Sequence, residues 1–274
     1  VEDLETVTEK KRIDQLLVER GHFPSRERAR AAIMAGDVTV NGAVVDKPGQ
    51  KVDGRAADIF IRKKMPYASR GGLKLARALE VFHIDLRGRV VLDIGASTGG
   101  FTDCALQHGA AVVYAVDVGY GQMAWSLRND PRVHLLERTN IRYMEKDVFK
   151  SGLPDFVTID VSFISLVIVL PRVDYLLENY EGVALVKPQF EAGREHVGKK
   201  GVVRDPGIHR AVLHKVALSV LDAGGAVLGV DYSPVKGPEG NVEYLLHFQK
   251  PGRNVDNLTG LIDSAVETAH LALR

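Results

Sequence analysis

"VVLDIGASTGGFTDCAL", residues 90–106, decides the fold. Val90–Leu92 and Ile94 make an apolar run of strand length that ends at Gly95, and Gly99 and Gly100 precede Phe101, Cys104, Ala105 and Leu106 in helical spacing. A strand, a glycine turn and a helix in that order aim backbone N–H groups and a helix N-terminus at something electron-rich. The turn Gly95-Ala96-Ser97-Thr98-Gly99-Gly100 lacks the second glycine of the dinucleotide fingerprint, where a pyrophosphate needs close backbone approach, so NAD is disfavoured. An acid remains at the strand end, Asp93, and a second strand, "AVVYAVDVG", reaches Asp117, an acid suited to ribose hydroxyls. Acids without phosphate spacing favour a nucleoside cofactor that carries no phosphates, with S-adenosylmethionine (SAM) the leading candidate.

Outward from this unit the chain alternates strands and helices. Candidate strands are 90–94, 112–117, 133–136, 156–161, 183–187, 226–232 and 242–249. The last two are joined by "SPVKGPEGN", too short for a helical crossover and suited to an antiparallel return. The expected class is α/β, a seven-stranded Rossmann-like sheet of the SAM-dependent methyltransferase kind, with the cofactor at the C-terminal edge of the first strands. Asp160 ends strand four, Lys187 ends strand five before Pro188, and Glu243 starts strand seven. Strands four and five are expected to flank the first, which would bring Asp160 and Lys187 into the crevice.

The whole chain has 274 residues, 45% hydrophobic and 26% charged, enough for one large and one small domain of ordinary globular composition. No apolar stretch approaches the roughly 20 residues of a membrane span, and "VEDLETVTEKKRID" is unlike a signal sequence, so a cytoplasmic protein without a membrane partner is expected. The single cysteine, Cys104, forbids an internal disulfide and any cysteine-rich zinc site, and it reads as a packing residue. No metal is expected: His209 and His214, on a helix begun by Pro206, lack a partnering ligand pattern and read as structural.

Charge is concentrated near the N-terminus, where residues 10–66 hold 13 Lys and Arg against 7 Asp and Glu. "RIDQLLVER" and "PSRERARAAIMAG" read as two helices, the second capped by Ser25 and showing Arg26, Arg28 and Arg30 outward. "DVTVNGAVV" reads as a hairpin turning at Asn41-Gly42, and "ADIFIRKK" as a closing strand. Through "LVERGHFPSRERARAAIMAGDVTVNGAVV", residues 11–64 resemble the αL-type RNA-binding module of ribosomal protein S-four and pseudouridine synthases. The three arginines would then meet phosphates. The expected division is a small N-terminal α+β RNA-binding module over 10–64, a linker over 65–72 and the methyltransferase domain over 73–274.

With "SRGGLKL", "LDIGASTGGFTD", "AVDVGYGQ", "IDVSFISL", "LVKPQFE", "GKKGVVRD" and "EGNVEYLL", the chain from residue 11 to about 270 resembles the TlyA (hemolysin A) family. In that family an RNA-binding module precedes an FtsJ-like ribose 2′-O-methyltransferase domain. The resemblance implies a Lys-Asp-Lys-Glu tetrad at Lys74, Asp160, Lys187 and Glu243, and a substrate of ribosomal RNA or ribosomal subunits methylated at cytidine. The residues before Lys10 are unlike the family's usual short start and read as an alternative start or a remnant of expression. Lys187 is the expected contact to the 2′-hydroxyl. Burial beside Lys74 would favour a base and the carboxylates an ammonium, so removing the proton and orienting the oxygen both stay open.

By position, Gly95, Ala96, Ser97 and Gly99 are expected at the methionine end of SAM, Asp117 at the ribose and Asn140 at the adenine edge. Asp93 would hold the amino group through the turn or through water, and Tyr120 would shape the adenine pocket or pack in the core. The flexible basic loop "EAGREHVGKKGVVRD", with Arg194, Lys199, Lys200 and Arg204, is expected to clamp RNA. Competing readings are a pore-forming hemolysin and an RNA-binding protein whose methyltransferase-like domain is inactive.

Overall fold

The computed structural model describes residues 9–62, 65–252 and 257–273. The N-terminal segment before Lys10 lies, but for Glu9, outside the described residues, as do Lys63 and Lys64 of the basic stretch. The chain forms two compact units that divide between Met65 and Pro66.

The first unit runs β1 (Lys10–Arg12), α1 (Ile13–Glu19), α2 (Arg26–Met34), β2 (Val38–Val40), β3 (Ala43–Val44), β4 (Lys51–Asp53) and β5 (Ile59–Ile61). Ser25 caps α2 by accepting from the Arg28 N–H at 3.3 Å, which satisfies one of the orphan donors of a helix start. Asn41 and Gly42 turn β2 into β3 with φ of 49° and 79°, a left-handed pair that these two residue types tolerate best. Ile13, Leu16 and Leu17 of α1, Ala29 and Ile33 of α2, and Val38 and Val40 of β2 bury together as the unit's own core.

Two elements of this unit lie outside the expected set: β1 pairs antiparallel with β4, although both are short and lysine-bearing. Beside it, Asp14 is fully buried and bonded by Arg12 Nε at 3.0 Å and Arg26 Nη2 at 2.9 Å. The Arg12 hydrogen bond holds the Asp14 carboxyl down at about 2, against the cost of burial. A depressed acid stabilises the fold above its unfolded value and loses that contribution as pH falls through about 2. Asp14→Asn therefore lowers the stability of this unit by about 1–2 kcal/mol at neutral pH, a figure discounted because both arginines are half exposed. Urea unfolding from pH 2 to pH 7 checks it, since the gap between wild type and variant must close at the acid end.

The second unit runs α3 (Gly71–Val81), β6 (Val90–Ile94), α4 (Gly100–Gln107), β7 (Val112–Val116), α5 (Trp125–Arg128), β8 (Val133–Leu136), β9 (Phe156–Ile159), α6 (Leu166–Leu176), β10 (Tyr180–Val186), α7 (Pro188–Glu191), α8 (Pro206–Asp222), β11 (Ala226–Tyr232), β12 (Tyr244–Lys250) and α9 (Leu258–Ala272). Its seven strands lie in the order β11-β12-β10-β9-β6-β7-β8. The central strands are parallel, and β12 returns antiparallel between β10 and β11. Apolar residues of α3 and α4 cover one face, and those of α6, α8 and α9 the other.

The strand order corrects one expectation. Strand four, β9, does flank the first, β6, but strand five, β10, lies one position further out between β9 and β12. Lys187 therefore meets Asp160 between the adjacent ends of β10 and β9, and Glu243 arrives from the other side of β10. Order reverses at β6, whose neighbours β7 and β9 carry their crossovers on opposite faces, so a crevice opens at the strands' C-terminal ends.

Candidate active site

A cleft of about 1150 Å³ opens along the C-terminal ends of the sheet, walled by Gly95, Ser97, Asp117, Asn140, Asp160 and Phe163 among others. A smaller recess of about 230 Å³ adjoins it, lined by Ser69, Arg70, Lys74, Ala96, Asp160 and Lys236 among others. The two share Gly95, Ser97 and Asp160. Gly95 has φ of +87°, and a Cβ there would stand 2.4 Å from the carbonyl oxygen of Asp160. Only glycine lets the turn after β6 lie this close to the end of β9.

The four charged residues expected as a set form two ion pairs. Lys74 Nζ lies 2.5 Å from Glu243 Oε2, and Lys187 Nζ lies 2.6 Å from Asp160 Oδ1. Lys74, Lys187 and Glu243 are buried, and Asp160 is partly so. Burial raises the Glu243 carboxyl above the ordinary glutamate range, and both Lys74 and Lys187 oppose that rise. Glu243 Oε1 is buried with no hydrogen-bond partner among the described residues.

The positions expected to touch the cofactor divide into three groups. Asp117 and Asn140 line the large cleft with Gly95 and Ser97, and Ala96 lines the smaller recess. Asp117 also braces the glycine turn, accepting from the N–H of Ser97 at 2.7 Å and of Gly119 at 2.6 Å. Asp93 and Gly99 line neither. Asp93 is buried and accepts from Thr102 Oγ1 at 2.6 Å and Thr158 Oγ1 at 2.8 Å, and burial pushes its carboxyl up to about 6. It can act on the cleft only through the turn. Gly99, at φ of +92°, abuts Leu127, where a Cβ would meet the Cδ1 at 2.3 Å. Tyr120 is neither pocket nor core: it is 65% exposed with the Arg138 guanidinium over its ring.

Of the residues expected to bind RNA, Arg28 and Arg30 are exposed on α2, whereas exposed Arg26 also serves buried Asp14. Arg194 reaches the wall of the large cleft, and Lys199, Lys200 and Arg204 are exposed. The far end of their loop is tied to the second unit at Gly201 and Val203. Buried Asn241 accepts from the Val203 N–H at 3.2 Å and donates to the Gly201 carbonyl at 2.9 Å, and Val203 O also bonds buried His209 Nε2 at 3.0 Å. Cys104 is buried in the core beside α3, as a packing residue should be.

Two residues outside the expected set support this region, Ser162 at the Lys187 pair and Glu191 further along the segment that Lys187 begins. Ser162 Oγ accepts from Lys187 Nζ at 3.0 Å, and buried Glu191 accepts from Ser165 Oγ and the Leu166 N–H, both at 2.6 Å. "IDVSFISL" and "LVKPQFE" contain them, but nothing in the residue pattern says that these segments meet.

A seven-stranded sheet of this order, with an open cleft at its switch point and paired lysines and carboxylates beside it, defines a methyltransferase of the FtsJ-like class. The FtsJ-like methyltransferase family model matches residues 67–250, and the S4 domain model residues 11–57. The 16S/23S rRNA (cytidine-2'-O)-methyltransferase TlyA of Mycobacterium tuberculosis is 46% identical over 255 residues, 92% of this chain and 95% of that protein. Hemolysin A of Brachyspira hyodysenteriae is 41% identical over 238 residues, 86% of this chain and 99% of that protein. A solved structure described as a hemolysin from Streptococcus thermophilus is 46% identical with a TM-score of 0.74, covering 97% of this chain and 98% of that one. The chain belongs to the TlyA (hemolysin A) family.

Proposed function

We propose that the chain transfers a methyl group from SAM to the ribose 2′-hydroxyl of a cytidine in ribosomal RNA. The observation that carries this reading is that the Lys187–Asp160 and Lys74–Glu243 ion pairs stand beside cavities built on the glycine turn, with Asp160 lining both and Lys74 the smaller. The cleft suits SAM, because its donor set is that of a nucleoside without phosphates: Asp117 at the end of β7, Asn140 after β8, and a turn at Gly95 that a Cβ would block. When bound, SAM supplies an electrophilic methyl on a cationic sulfur.

The chain's own residues do the rest. Gly95, Ala96 and Ser97 hold the methionine end, Asp117 the ribose, and Asn140 the adenine edge. Lys187 Nζ meets the 2′-oxygen and takes or orients its proton, held by Asp160 at 2.6 Å. A ribose hydroxyl is a poor nucleophile, so positioning it and managing its proton supply much of the acceleration. Arg26, Arg28 and Arg30, with Arg194, Lys199 and Lys200, meet phosphates.

Purified protein given ribosomal RNA and methyl-labelled SAM should place label on a cytidine 2′-oxygen, mapped by resistance of the 3′ linkage to alkaline hydrolysis. Unlabelled RNA would overturn the reading. Among the described residues no helix is long and apolar enough to cross a membrane, and leakage of vesicles without RNA labelling would point to a pore instead. Asp117→Ala should weaken SAM binding by about 1–3 kcal/mol, because it removes a ribose acceptor and the brace on the Ser97 N–H. Titration calorimetry checks it, and an unchanged dissociation constant would place the ribose elsewhere.

A further inference from the structure

We propose that Ser162 is a positioning residue for methyl transfer, aiming the Lys187 amine by accepting one of its hydrogen bonds; the proposal rests on the reading that Lys187 meets the 2′-oxygen. A lysine amine is a compact group on a flexible stem with about 2 kcal/mol of rotamer entropy, so one ion pair sets its distance and leaves its direction free. Lys187 Nζ has two hydrogen-bonding partners, Asp160 Oδ1 at 2.6 Å and Ser162 Oγ at 3.0 Å, with the Phe190 ring centroid a looser 5.9 Å away. No third hydrogen bond to Nζ is found among the described residues. An amine nitrogen has four tetrahedral positions, one taken by its own carbon. With two given to Asp160 and Ser162, a single direction remains. In the ammonium it carries an N–H that donates to the 2′-oxygen, and in the free amine it carries the lone pair that accepts the 2′-proton. Ser162 therefore serves whichever protonation state acts.

The surroundings show that this contact is built in. Asp160 N–H bonds the Ile94 carbonyl at 2.9 Å, which ties the start of the Ser162 loop to β6. At its other end Ser165 and the first N–H of α6 bond Glu191, four residues beyond Lys187 on the same short segment. Glu191 is buried, and Lys215 stands 3.7 Å from its Oε2. Two loops from different strands are thus fastened at both ends, with the Ser162–Lys187 bond between the fastenings. Ser162 itself is exposed on the wall of the large cleft, so its hydroxyl can be removed without opening the core.

The test compares full-length wild type, Ser162→Ala and Ser162→Thr in single-turnover methylation of ribosomal RNA, with SAM and RNA affinities and melting temperature measured alongside. Ser162→Ala should slow the methylation step by about 10-fold to 100-fold, the worth of a hydrogen bond to a charged group. Its SAM affinity, RNA affinity and melting temperature should stay at wild-type values, and Ser162→Thr, which keeps the hydroxyl, should restore most of the rate. Independently of turnover, the ammonium signal of Lys187 in ¹⁵N-lysine-labelled protein, identified by its absence in Lys187→Ala, should shift or broaden in Ser162→Ala. A wild-type rate in Ser162→Ala overturns the proposal. So does a defect confined to RNA or SAM affinity, which would make Ser162 a ligand contact, and so does an unmoved Lys187 signal. Failure of the wild type itself to methylate RNA would remove the functional reading and this inference together, whereas an active wild type with an equally active Ser162→Ala removes this inference alone.

Discussion

Lys187→Ala should all but abolish methyl transfer, with turnover falling by about 10²-fold to 10⁴-fold, the range that a positioned acid–base group supplies. Lys187 is buried and paired with Asp160, while Lys74 is committed to Glu243 at 2.5 Å. Neither the cofactor cleft nor the smaller recess counts Lys187 among its lining residues, so its loss should change SAM affinity by less than about tenfold. Stopped single-turnover assays beside SAM titrations separate the two quantities. Retention of more than about a tenth of wild-type turnover would remove Lys187 from the central role. A parallel loss of SAM affinity would mean that the Lys187–Asp160 pair shapes the cofactor cleft rather than the reacting oxygen.

The core of this arrangement was legible in the residue pattern because it depends on short-range signals. Buried strands such as Val90–Ile94 and Phe156–Ile159 are apolar runs bounded by glycine or proline, and the acids that matter sit where those runs end. The hairpin at Asn41-Gly42 and the Ser25 cap are equally local. What escaped depends on distant segments meeting. Burial of Asp14 follows from Arg12 and Arg26 converging on it, and β1 exists only because β4 folds back to pair with it. Asn241 looks like a turn residue in "EGNVEY", yet it pins the basic loop from some 40 residues away. The place of strand five is equally non-local: β6 already has β7 and β9 as its two neighbours, so β10 pairs outside β9, and periodicity carries no information about which neighbours a strand takes. Among the cofactor positions, Gly99 has the right residue type for a ligand-facing turn, but packing against Leu127 claims it.

Removing the N-terminal unit should abolish methylation of ribosomal RNA while leaving SAM binding intact. The second unit has its own cores on both faces of the sheet, and the glycine turn, Asp117, Asn140 and both ion pairs all lie within it, so a chain starting at Pro66 retains what the cofactor needs. It loses the basic stretch over residues 10–66, with its 13 Lys and Arg against 7 Asp and Glu. Phosphate contacts gain affinity from counterion release, and the logarithm of the binding constant falls with log salt by about 0.9 for each contact with duplex. Three such contacts at ~0.1 M salt correspond to about 10²-fold to 10³-fold in affinity. Substitution within the intact chain should follow the same slope, but the residues are not equivalent. Arg28 and Arg30 are exposed on α2, while Arg26 also neutralises buried Asp14, so Arg26→Ala mixes lost RNA contact with lost stability. The cleaner variant is therefore Arg28→Ala with Arg30→Ala, which should flatten the salt dependence by up to about 1.8 while the melting temperature holds. Binding at several salt concentrations, with methylation of the same RNA, measures both. Wild-type methylation by the truncated and the doubly substituted proteins would show that the N-terminal unit does not anchor the substrate. The anchor would then be the loop bearing Arg194, Lys199 and Lys200, whose far end Asn241 ties down at Gly201 and Val203 and whose Arg194 lines the large cleft.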